Sequence, residues 1–121
     1  RYGHLLETAK PAYYIHRDTW YGNSGSQMNF WIPLVPINFD NSFRFYPEYF
    51  FKPIKNDSHR FTLSEWQKNG GFQDLKNELY EKLFIKHFPQ PLEPVHSPGL
   101  DFCIDPGEIL VFSAHHLHGT K

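Results

Sequence analysis

The chain has 121 residues, 40% of them hydrophobic and 21% charged, which points to one globular domain and excludes a disordered tail. A net charge of −1 leaves no electrostatic footprint for nucleic acid or an anionic membrane. Proline and charged residues interrupt every apolar stretch, so none spans a bilayer, and no secretory signal is legible.

The elements follow in chain order. Residues 12–20, rich in aromatic and β-branched side chains, predict a first strand, and residues 21–26 a loop dense in turn formers. Residues 27–34 predict a second strand, with Gln27, Asn29 and Trp31 on one face and Met28, Phe30 and Ile32 on the other. Pro33 and Pro36 interrupt it or place it at an edge. A turn over 38–42 precedes a short strand, 43–46, closed by Pro47. Residues 48–61 read as irregular. Thr62-Leu63-Ser64-Glu65 resembles a capping box and opens a short helix through about Lys68. Leu75, Leu79 and Leu83 recur every four residues and predict a longer helix over 74–87, stopped by Pro89. Residues 89–99 hold four prolines and read as an extended surface loop. A strand over 100–104, a turn at Asp105-Pro106-Gly107-Glu108 and a buried strand over 109–113 complete the order.

Strands at both ends with helices between them predict a mainly β fold, a jelly roll or small barrel with one or two helices packed on a sheet's outer face. The lone cysteine, Cys103, forms no internal disulfide and is expected as a small buried hydrophobe in a reducing, cytoplasmic setting.

His16 and Asp18 stand two residues apart, so on a regular strand both side chains share a face while Arg17 points away. One metal ion can touch both. With a remote histidine they make the 2-His-1-carboxylate set that holds Fe(II) on one face and leaves the other open. The third ligand comes from His115, His116 or His118, and periodicity does not choose among them.

Gly107-Glu108-Ile109-Leu110-Val111-Phe112-Ser113 leads into His115-His116-Leu117-His118-Gly119-Thr120. With His16-Arg17-Asp18, this run resembles the phytanoyl-CoA dioxygenase-like family of Fe(II)/2-oxoglutarate oxygenases. The resemblance covers about residues 12–50 and 100–121. It selects His118, in the His118-Gly119 pair, as the distal ligand beside His16 and Asp18. It implies a double-stranded β-helix core of the cupin-like, jelly-roll kind, and two residues at the cosubstrate, Trp31 beside it and Thr120 in contact with it; Asn29, on the same strand face as Trp31, is placed to reach the same ligand.

The implied reaction is hydroxylation of a small-molecule substrate with O2 and 2-oxoglutarate, giving succinate and CO2. Asp18 fits hydroxylation, because halogenating members of the family lack this carboxylate. The family's arginine about ten residues after the distal histidine falls beyond Lys121. This leads to the expectation that residues 1–121 are an incomplete single domain, a fragment of a longer protein. Two other readings stand beside this one: a cupin-like metal enzyme that does not use 2-oxoglutarate, and a non-catalytic jelly-roll ligand-binding module.

Overall fold

The computed structural model of the chain describes residues 14–68 and 87–121. It is mainly β, with antiparallel sheets and few helices. The described strands are β1 (Met28–Trp31), β2 (Phe43–Phe45), β3 (Leu100–Phe102), β4 (Leu110–Ser113) and β5 (His118–Thr120). The described α-helix is α1 (Leu63–Lys68), and 3-10 turns cover Asp18–Tyr21, Pro47–Phe50 and Ser58–Arg60. The expected helix over 74–87 lies outside the described residues, His87 aside.

The strands form two sheets. β1 pairs with β4, setting Asn29 opposite Phe112 and Phe30 opposite Val111. β2 lies between β3 and β5, with Arg44 opposite both Asp101 and Gly119. The Arg44 guanidinium grips the Asp101 carboxylate with two hydrogen bonds of 2.5 and 2.7 Å, and Lys121 Nζ donates to the same carboxylate at 2.7 Å. Paired charges directly across a ladder favour one register over its neighbours.

Alternation decides what each sheet buries. On β1, Asn29 and Trp31 turn inward, while Met28 and Phe30 remain 53% and 70% exposed. On β4, Phe112 is buried but Val111 is 48% exposed. The expectation of a buried strand over 109–113 is therefore corrected to one buried on a single face: a two-stranded antiparallel sheet covers only one side. Phe43 and Phe45 of β2 meet Phe112 of β4 at ring-centroid distances of 5.4 and 5.0 Å, so the two sheets close on an aromatic core. Trp31, Phe102 and Leu110 pack around it. Each buried ring contributes roughly 1.5–3 kcal/mol, and each tilted or edge-on pair about 0.5–1.5 kcal/mol more. A second cluster, Trp20, Tyr49, Ile54 and Leu117, lies under the turns.

Residues 12–20 do not continue as a strand through Asp18. His16 forms an isolated antiparallel bridge with His118, Arg17 is still extended, and a 3-10 turn begins at Asp18. Gly22, at φ 77°, ends that turn in the left-handed region where a side chain is strained. Burial of Trp20 in the second cluster overrides the local β preference.

Leu63 of α1 sits where a Cβ on Gly22 would meet it at 3.3 Å, so α1 packs beside the Asp18–Tyr21 turn. The expectation of a buried Cys103 is corrected: the residue is exposed, because it lies just past β3 and outside both core clusters.

Candidate metal centre

Three segments deliver the site. His16 sits on the bridge, Asp18 opens the 3-10 turn, and His118 opens β5. His16 donates its backbone N–H to His118 O at 2.8 Å, and His118 donates to His16 O at 2.9 Å. This doubly bonded pair puts the two side chains side by side, with ring centroids 4.5 Å apart.

The tautomers of both rings follow from their partners. His16 Nδ1 donates to Tyr14 O at 2.7 Å, and His118 Nδ1 donates to His116 O at 2.9 Å. A carbonyl accepts only, so each ring carries a proton on Nδ1, and in the neutral form of the ring Nε2 is the atom with the lone pair. Both Nε2 atoms face one carboxylate oxygen: Asp18 Oδ1 lies 3.4 Å from His16 Nε2 and 3.9 Å from His118 Nε2. One donor atom from each of the three residues lies within 4.8 Å of the other two, close enough to share a metal ion.

The surroundings tune the three groups. Burial alone would raise the Asp18 carboxyl, but His16, His118 and the Asn29 amide outweigh it and hold it below the ordinary carboxylate range. Burial, followed by the neighbouring His16, pushes His118 down to about 4, so its ring is neutral at pH 7, as a metal ligand requires. Phe43 stacks on the His118 ring at 5.1 Å, and Phe112 stands edge-on at 5.0 Å. Tyr21 stands edge-on to His16 at 5.3 Å, and burial, then the Asp18 charge, raises its phenol and keeps it protonated.

The three expected ligands His16, Asp18 and His118 are thus brought together. Arg17 is extended, so His16 and Asp18 share a face as their spacing predicts, and the 3-10 turn begins only at Asp18. The other two histidines of the run face elsewhere. His115 is exposed and backs onto Gly25, where a Cβ would meet its Nε2 at 2.7 Å. His116 packs against Phe50 at 4.6 Å, with its Nδ1 on Ser113 O at 3.1 Å.

Asn29 donates its side-chain amide to Asp18 Oδ2, and Gln27 Nε2 donates to Asn29 Oδ1 at 2.8 Å. Trp31 packs on Phe43 at 5.2 Å, one ring removed from His118. Thr120, opposite Phe43 on β2, shares a strand face with His118 two residues before it. Arg17 points away from the triad, as alternation predicts, and its guanidinium donates to Tyr49 O and, at 2.9 Å, to Lys52 O. The contributions of Tyr21 and Phe43 were not legible beforehand: nothing in their local sequence tells a ring beside a ligand from a ring in a core.

An apolar cavity of about 170 Å³ opens among β2, β3 and β4, lined by Phe45, Phe102, Leu110, Phe112 and His116 among others. Phe45 and Phe112 wall it on the His118 side. No described helix is long and apolar enough to cross a membrane.

No family model, curated protein or solved structure matches the chain. What stands is a mainly β protein carrying a His-Asp-His group spaced for a metal ion.

Proposed function

We propose that the chain is an Fe(II)- and 2-oxoglutarate-dependent oxygenase that hydroxylates a small-molecule substrate with O2, on a double-stranded β-helix core. One observation carries the reading: His16 and His118, clamped to each other through their backbones, both aim Nε2 at Asp18 Oδ1. Two neutral imidazoles and one carboxylate suit a mononuclear Fe(II) site with open positions. The donors fit such an ion. Adjacent corners of an octahedron with bonds of about 2.1 Å lie ~3 Å apart, close to the 3.4 Å and 3.9 Å between Asp18 and the two rings.

Bound Fe(II) supplies the redox chemistry that couples oxidative decarboxylation of 2-oxoglutarate to hydroxylation. The chain's own residues prepare for it. Neutral His118 offers a lone pair without first losing a proton, and Asp18 brings the negative charge that matches a divalent cation. Phe43 and Phe112 keep water from the His118 ring, which strengthens the attraction among charges. Trp31 and Thr120 would line the cosubstrate side, as the family resemblance implies. The apolar cavity beyond Phe45 and Phe112 suits a small apolar part of a substrate.

A second reading is a cupin-like metal enzyme that does not use 2-oxoglutarate. It is favoured by the occupation of two cations. Arg17 is bound to backbone carbonyls and Arg44 to Asp101, so neither is available for the far carboxylate of the oxo-acid.

The test is anaerobic addition of Fe(II) and 2-oxoglutarate to the chain, watching for the visible iron-to-oxo-acid charge-transfer band. A band present in the native chain and lost in Asp18→Ala supports the oxygenase. Asp18-dependent metal binding with no band overturns it in favour of the second reading.

A further inference from the structure

Asp18 uses its two oxygens differently. Oδ1 faces both histidine Nε2 atoms, and Oδ2 accepts from the Asn29 side-chain amide. A carboxylate is an acceptor only, so the Asn29 nitrogen must be the atom that faces it, and Asn29 Oδ1 must then point away. Gln27 Nε2 meets that oxygen at 2.8 Å. The backbone beneath is held as well: Gln27 N donates to Ser24 O at 3.0 Å, and Ala114 N donates to Gln27 O at 3.1 Å. Asn29 itself lies on β1, paired with Phe112. The chain of donors Gln27 to Asn29 to Asp18 therefore rests on the β1–β4 sheet, an element separate from the turn that carries Asp18.

We propose that Asn29, with its amide orientation set by Gln27, is a positioning residue that holds Asp18 as a one-oxygen metal ligand. It rests on the metal-site reading above and deepens it. With Oδ2 hydrogen-bonded to Asn29, the carboxylate is restrained from swinging both oxygens onto the ion. The coordination position a second oxygen would take is left for an exogenous ligand. Asn29 thus acts through Asp18. Partners behind metal ligands commonly change metal affinity by about 10–100-fold when removed.

The experiment uses Co(II) as the probe, with affinity and visible absorption read together, because the intensity of the cobalt bands reports coordination number. The proteins are the native chain, Asp18→Ala, Asn29→Ala, Asn29→Asp, Gln27→Ala and the Asn29→Ala/Gln27→Ala double variant. Asn29→Asp keeps the side chain's shape and removes the N–H donor, so it reports on positioning should Asn29→Ala fail to fold. Expected are Asp18-dependent Co(II) binding, a 10–100-fold loss of affinity with an altered spectrum in both Asn29 variants, and a smaller loss in Gln27→Ala. The double variant should be no worse than Asn29→Ala, because the two residues act in series. Native-like affinity and spectrum in Asn29→Asp would overturn the positioning role while leaving the metal site standing. Absence of Asp18-dependent Co(II) binding in the native chain would overturn the site itself and the positioning role with it.

Discussion

His16 and His118 are joined backbone to backbone before any metal is considered. Each donates its amide to the other's carbonyl, at 2.8 and 2.9 Å, on antiparallel segments far apart in sequence. The bridge sets the spacing of the two rings and ties the first ligand segment to the last strand. Metal binding and folding are therefore expected to be coupled at this point.

That coupling sets the first prediction. A divalent metal at 100 times its dissociation constant should stabilise the chain by about 2.7 kcal/mol, and a chelator should remove the gain. His118→Ala and Asp18→Ala should abolish the gain. Thermal unfolding with metal and with chelator checks this. A metal-induced shift that survives Asp18→Ala would place the ion elsewhere.

Acid should weaken the metal-free chain in two steps. Burial, with His16 beside it, lowers His118 from 6.5 to about 4, so the unfolded chain binds this proton more readily than the folded one. The stability tied to neutral His118 is complete above pH 6.5 and is lost as the pH falls towards 4, on the order of a few kcal/mol. Asp18, also lowered, adds a further loss below its ordinary value of 3.8. Urea unfolding at pH 7, 5.5 and 4 measures the slope, and His118→Phe should flatten it between 6.5 and 4.

Gly22→Ala should cost about 1–2 kcal/mol, the usual penalty for a side chain in the left-handed region. The new Cβ also meets Leu63 at 3.3 Å. Because Gly22 ends the turn that Asp18 begins, metal affinity should fall as well. Gly107→Ala is the control: its φ of 102° carries a backbone penalty, but the added Cβ meets nothing and the site is untouched. Urea unfolding and metal titration of both variants separate the two effects.

Phe112→Ala should destabilise the chain by about 3–5 kcal/mol, because its ring fills the space between the sheets. It should also loosen His118, whose ring it meets edge-on. Phe30→Ala, one register position away and 70% exposed, should change stability by no more than about 0.5 kcal/mol. Equal losses in the two variants would contradict the inward and outward assignment of β1 and β4.

The sequence by itself determined the side-chain types at the site and much of the local order. Alternation put Asn29 and Trp31 on one face of β1, Pro47 closed β2, and Thr62-Leu63-Ser64-Glu65 opened α1, all near their observed places. Such features are legible because periodicity, proline geometry and capping act over a few residues. Only the tertiary structure decided how the ligands meet. The spacing of His16 and Asp18 already put both on one face across extended Arg17, but His118 had to be brought to them by backbone pairing. Residues 114–117 bend the chain between β4 and β5, which takes His115 and His116 away and leaves His118 opposite His16. The placement of Asn29 on Asp18 likewise required β1 to come up beside the turn. Local pattern records which way a side chain faces; which distant segment it faces is settled by burial and backbone pairing between parts of the chain that share no local signal.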